Sequence, residues 1–214
     1  MNKACKIEVP DHDCQICPRL AEFRAQNREK FPDKFNAPVP SFGDIGAELL
    51  IVGLAPGLKG ANFSGRPFTG DFAGELLYGT LIKYGFASGE FKARPDDGLE
   101  LVNTRITNAV RCVPPENKPI GSEINGCQLF LKNQLESMPN LKIIVSLGLV
   151  SHNAVLKTCG EKLSAFKFAH EAEHKLSNGL LLIDSYHCSK YNTSTKRLTE
   201  SMFHDVFKRV KKKL

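Results

Sequence analysis

Four short apolar runs constrain the fold of this chain more than any other feature. Residues 48–54, 105–111, 141–147 and 180–184 each read as a strand, being short, bounded by turn residues and rich in Leu, Ile and Val. Helical stretches lie between them over 17–30, 72–84, 122–137, 149–158 and 195–211, with Ser122 a candidate N-cap. Strands that alternate with helices imply an α/β fold whose mostly parallel sheet is covered on both faces. Ligand sites in such sheets lie beyond the carboxyl ends of the strands. That rule selects the loop after Leu54, the end of the 105–111 run and the segment after Asp184. No repeat or low-complexity linker interrupts the pattern, so residues 1–214 read as a single domain.

Cysteine usage adds a second constraint. Seven cysteines in 214 residues are too few, and odd in number, for a disulfide scaffold. Met1 to Arg19 contains no apolar signal segment, and no run nears the roughly 18 apolar residues of a membrane span. A cytoplasmic location follows as the expectation, where cysteines stay reduced and tend to be buried, reactive or metal-bound. Cys14-Gln-Ile-Cys17 forms a C-x2-C knuckle, and Cys112 and Cys127 frame a Pro-containing loop. Four thiolates from two distant segments suit a tetrahedral zinc ion or a four-iron cluster, either of which would pin the N-terminal segment to the body. Cys5, Cys159 and Cys188 are left over, Cys159 as a small core residue.

The loop from Gly53 to Gly70 carries five glycines in 18 residues but fits neither standard nucleotide-phosphate motif. Its glycines let backbone approach a ligand closely. Phe68 offers a stacking face or a hydrophobic plug, and Asp71 a helix cap or a catalytic carboxylate. Asn108 presents a donor and an acceptor side by side, which matches a pyrimidine edge or equally satisfies backbone in a buried strand. His187, among small polar residues just past a buried strand, is placed to reach a ligand. The net charge of +6 is compatible with a polyanionic partner. Lys208, Arg209 and Lys211 to Lys213 read either as a solvated helix end or, with Arg66, as phosphate contacts.

Together these segments resemble the iron–sulfur uracil-DNA glycosylases, in particular family five (type B). Gly53-Leu-Ala-Pro-Gly and Gly-Arg-Pro-Phe-Thr-Gly-Asp71 look like the first motif of that family, and Thr107-Asn-Ala-Val-Arg-Cys112 like its asparagine strand. Tyr186-His187-Cys188-Ser189, with Asn192-Thr193 and Leu198-Thr199 downstream, is similar to its H-P-S motif. Cys14-x2-Cys17-Pro-Arg-Leu also matches, so the resemblance covers most of the chain. It implies a three-layer α/β/α sandwich that removes uracil, and in principle other deaminated bases, from DNA, acting as a monomer. It implies further that Cys14, Cys17, Cys112 and Cys127 hold a structural 4Fe-4S cluster. On the same resemblance Gly53, Ala55, Phe68 and Asn108 bind the flipped base, Phe68 by stacking and Asn108 by reading its edge. His187 stabilises charge on the departing base, and Asp71 assists the sugar cation or the water. Ala55 stands where related families place a polar, water-activating residue, which raises the weight on Asp71. Cys188 replaces the proline of the motif and so removes a fixed φ, putting the loop's rigidity in question. A catalytically silent nucleic-acid-binding module of the same fold is the alternative, and an enzyme of free nucleotides fits less well.

Overall fold

A computed structural model describes residues 9–214, and Cys5 lies outside the described residues. The chain runs α1 (Pro18–Lys30), β1 (Phe42–Gly43), β2 (Leu49–Gly53), α2 (Ala61–Ser64), α3 (Phe72–Tyr84), β3 (Ala87–Ser88) and β4 (Glu100–Leu101). It continues through β5 (Thr104–Asn108), α4 (Gly121–Glu136), β6 (Ile143–Leu147), α5 (Leu149–Thr158), β7 (Glu173–Lys175), β8 (Leu181–Ser185), α6 (Lys190–Ser194) and α7 (Glu200–Lys213). The main sheet has the order β1-β5-β2-β6-β8-β7. Its four inner strands are parallel, and β1 and β7 pair antiparallel at the two edges.

Alternation along the inner strands builds two cores. Leu49, Ile51, Ile106, Val145 and Ile183 face α3 and α7, where they meet Leu77, Leu81, Phe203 and Phe207. Leu50, Val52, Ile144 and Leu182 face the other way, against Leu131 of α4 and Val155 and Leu156 of α5. Every one of these strand residues is at most 2% exposed, as expected for parallel strands covered on both faces. The result is the α/β/α sandwich that the strand–helix alternation called for.

Three boundaries differ from the sequence reading, each for a local reason. Ser122 does not cap α4; Ile120 holds that place, and its N–H donates to Glu123 Oε2 at 2.8 Å. The 105–111 strand ends at Asn108, past which Ala109 and Val110 N–H still bond Gly53 O and Leu54 O while Arg111 O turns to accept from Val39 N–H. The final helix starts at Glu200 rather than 195: Lys196 at φ 57° breaks the chain after the unforeseen α6, and Thr199 starts α7 by accepting from Met202 N–H. The short edge strands escaped notice because two or three residues carry no readable period.

Candidate active site

The C-terminal ends of β2, β6 and β8 open onto a cleft of about 940 Å³. Ala55, Gly57, Gly60, Asp71, Gly148 and His187 are among the residues that line it. Among the described residues Asp71 is the one carboxylate on this wall, whereas Lys59, Lys190 and Arg197 line its exposed parts.

Gly53, Phe68 and Asn108 meet just inside. Gly53 pairs in register with Asn108 across β2 and β5. A Cβ on Gly53 would collide with Asn108 Oδ1 and with the Phe68 ring, so only glycine lets the two side chains converge. Asn108 is 4% exposed, and its Oδ1 accepts no hydrogen bond from the described residues. A buried acceptor left without a donor costs about 1–3 kcal/mol, which is a reason to expect a ligand donor there. Phe68 stacks on His187 with ring centroids 6.1 Å apart and planes 29° apart, joining this group to the cleft.

Phe68 sits at φ 54°, a conformation that strains any residue with a Cβ and persists only when neighbours enforce it. The enforcement is visible. Tyr78 Oη donates to Pro67 O at 2.6 Å, and a Cβ on Gly74 would strike Phe68 O. Arg66 completes the latch: its Nη atoms grip both Asp97 oxygens at 2.7 Å, its Nε donates to Thr69 Oγ1, and the rings of Phe42, Tyr78 and Phe91 surround it. Arg66 is therefore not a phosphate contact, contrary to the sequence reading; it is 5% exposed with its charge already paired. Sequence offered no sign of Asp97 as its partner, 31 residues away.

Asp71 proves to be the N-cap of α3, its Oδ1 accepting from Gly74 N–H at 3.2 Å. Its other oxygen turns toward Gly57 and Gly60, and a side chain at Gly60 would run into it. Burial raises the Asp71 carboxyl above its ordinary value, partly offset by the N–H groups of Gly74 and Ala73. Burial pushes the His187 imidazole down to about 4. Its ring is thus neutral at pH 7.

The loop around His187 is held without the proline. Asn192 Nδ2 donates to His187 O at 2.8 Å, and Ser189 Oγ caps α6. Cys188 is fully buried, its thiol reaches Ala73 O at 3.5 Å, and burial pushes its pKa strongly up. The substitution thus ties the loop to the start of α3 and exposes no reactive thiol.

Cys14, Cys17, Cys112 and Cys127 converge behind Ala55, packed with Leu20, Val110 and Phe130. They line one small cavity together with Arg24 and Arg111, and none of the four is in a disulfide. Arg24 Nη1 lies 3.6 Å from Cys112 Sγ, and Arg111 N–H points at Cys127 Sγ at 3.5 Å. Burial pushes the Cys17 thiol up to about 11 and that of Cys112 to about 12. Arg19 adds a bidentate pair with Glu123 at 2.7 and 3.0 Å, fastening α1 to the start of α4.

A family model for the uracil DNA glycosylase superfamily matches residues 40–211. A type-5 uracil-DNA glycosylase of Thermus thermophilus is 40% identical over 93% of this chain and 93% of its own. This chain belongs to the uracil DNA glycosylase superfamily. A type-5 uracil-DNA glycosylase of Pyrobaculum aerophilum is 35% identical over 92% of this chain and 87% of its own. A type-4 uracil-DNA glycosylase of Sulfurisphaera tokodaii is 32% identical over 96% of this chain and 84% of its own. The resemblance read from the motifs agrees with these relatives.

For a member of this superfamily the basic C-terminus is in the wrong place to grip DNA at the cleft. Lys211 lies beside Gly85, past the far end of α3 from Asp71, and Lys213 pairs with Glu173 at 2.9 Å. The cations beside the cleft, Lys59, Lys190 and Arg197, were not singled out from sequence, because isolated basic residues carry no pattern.

Proposed function

We propose that this chain hydrolyses the N-glycosidic bond of uracil in DNA and leaves an abasic site. The single observation that carries the reading is the buried Asn108 Oδ1 beside Phe68, partnerless among the described residues. Uracil offers an N–H donor flanked by carbonyl acceptors, and the Asn108 amide complements that edge. A base must leave the helix to reach such a pocket, and the Phe68 ring gives it a stacking surface. Lys59, Lys190 and Arg197 would hold the flanking phosphates.

Cleavage sends the C1′–N1 electron pair onto the base, whose charge gathers on its carbonyl oxygens. The neutral His187 ring donates a hydrogen bond to that developing anion, a role that in comparable sites is worth about 100-fold or more in rate. Asp71, anionic and desolvated, faces the sugar cation and orients the water, whose oxygen bonds to C1′ as its proton passes to the Asp71 carboxylate. Ala55 supplies no polar group, so the one carboxylate of the cleft bears this work.

The cysteines suit the cluster implied by the resemblance. A single tetrahedral zinc draws its sulfurs to roughly 3.8 Å of one another. Among the described residues the ligand-type groups crowded within 4.8 Å are His152, His174 and Asp184, not the cysteines. The wider spread, with Arg24 and Arg111 beside the sulfurs, favours a 4Fe-4S cluster. Such a cluster would join the Cys14–Cys17 segment to α4 as a structural brace, in a monomeric, single-domain cytoplasmic enzyme.

The deciding experiment is a single-turnover assay on a labelled duplex with one U·G mismatch, followed by alkali. Strand breakage at the uracil supports the reading. Intact DNA from iron-loaded protein overturns it.

A further inference from the structure

Behind the cleft, on the α5 face of the sheet, lies a polar group that the glycosylase chemistry does not use. Asp184, on β8 and fully buried, accepts from Ser146 Oγ at 2.6 Å. Its Oδ1 faces His152 Nδ1 at 2.8 Å, and its Oδ2 faces His174 Nε2 at 3.0 Å. His152 is 1% exposed, and its second nitrogen faces Phe166 O at 3.1 Å.

This geometry is unbalanced for neutral side chains. A neutral imidazole has one N–H and one lone pair, yet both nitrogens of His152 point at oxygen acceptors. With the N–H on Phe166 O, the Nδ1 lone pair faces a carboxylate oxygen, an opposition that a metal cation held between them would relieve. Two imidazoles and a carboxylate aim at a common region, with their ligand atoms within 4.8 Å of one another. The outer contacts also match a metal site: a ligating histidine commonly donates its far N–H to a backbone carbonyl, and a ligating carboxylate is itself hydrogen-bonded. Phe166 O and Ser146 Oγ fill those two places. The rings of Phe166 and Phe168 pack edge-on against the histidines, and His174, at 13% side-chain exposure, marks the way in.

We propose that His152 Nδ1, His174 Nε2 and Asp184 bind one divalent zinc-type ion, distinct from the cysteine cluster. The two-nitrogen, one-oxygen donor set suits zinc, with water as the fourth ligand. The ion would tie α5, β7 and β8 together behind the strand that leads to His187. The inference is independent of the glycosylase reading.

The test uses iron-loaded protein given zinc chloride and then dialysed against metal-free buffer, with zinc and iron counted in the same sample. One zinc per chain beside a full iron complement is expected, and His174→Ala should weaken zinc retention at least tenfold. At zinc 100-fold above Kd, the melting temperature of the wild-type protein should rise by about 5–10 °C. Zinc K-edge absorption covers the event that the variant misfolds: nitrogen and oxygen neighbours at about 2.0–2.2 Å are expected. Zinc that washes out of the wild-type protein, zinc retained equally by folded His174→Ala, or a sulfur shell at about 2.3 Å overturns the proposal. In the first case a second proton on His152 balances the carboxylate instead.

Discussion

Asp97→Ala separates the structural role of Arg66 from the role its charge first suggests. The guanidinium is 5% exposed, and its two short bonds go to a carboxylate with no side-chain exposure. Removing one partner of a buried ion pair costs about 3–5 kcal/mol, because the other charge stays buried and uncompensated. Asp97 also accepts from Lys92 and Leu99 N–H groups, so the upper part of that range applies. At about 2–4 °C per kcal/mol for a domain of this size, the melting temperature falls by about 8–20 °C. Arg66 holds the Asp97 carboxyl far below the usual carboxylate range. Its stabilisation is thus fully present above the unfolded value near 4 and lost only as pH falls below it. The same loss is expected at pH 8 and at pH 5, read by calorimetry. Asp97→Leu combined with Arg66→Met should recover much of the stability, since an apolar pair of similar volume leaves no orphaned charge. Arg66→Met should leave the salt dependence of DNA binding unchanged, whereas Lys190→Ala should reduce its log–log slope by about 0.9. Wild-type melting of Asp97→Ala, or a reduced salt slope for Arg66→Met, would refute the reasoning.

His187→Ala should lower single-turnover cleavage at least tenfold with the fold intact by circular dichroism. Because burial depresses the His187 pKa to about 4, the unfolded chain takes up a proton below about pH 6.5 while the native ring does not. Urea titrations should show His187 costing about 2 kcal/mol of stability at pH 5 relative to pH 7, a loss absent in the alanine variant. Asp71→Asn keeps an N-cap side chain, so it should melt like wild type, cleave far more slowly and lack the acid limb of the pH–rate profile. A preserved acid limb would clear Asp71 of the chemistry. Gly60→Ala places a methyl against the free Asp71 oxygen and should slow cleavage with little change in melting temperature. Cys112→Ser should lose iron and the broad absorbance near 400 nm, and a protease should then release the segment before α1 sooner than in wild type.

The fold was legible because β2, β6 and β8 are buried on both faces and so read as continuous apolar runs. The Asp71 cap and the convergence of the four cysteines were legible too, since each depends on a local motif or on thiol chemistry. What remained hidden rests on pairings remote in sequence. Arg66 carries the same formal charge whether it meets a phosphate or Asp97, and only the fold places an acid 31 residues downstream against it. Asp184 reads as the last residue of an apolar strand, while its partners come from β6, α5 and β7. The breaks at Lys196 and Thr199 were obscured because residues 195–211 contain no proline or glycine.

The protonation state of His187 follows from the same cleft that makes Asp71 useful. On the proposed mechanism, one wall must favour an anion leaving and the other a cation forming. An imidazolium would present its full charge before the base had any, stabilising the bound substrate as well as the transition state. The hydrogen bond of a neutral donor strengthens as the base acquires charge, which is the condition for lowering a barrier. Desolvation keeps the ring neutral. The Cys188 thiol serves the same end: uncharged and fully buried beside Asp71, it closes the space behind the loop and leaves the field of the carboxylate directed at the sugar. Replacing it with aspartate would place a second anion there, and the expected result is a raised His187 pKa and an acid limb shifted toward neutrality.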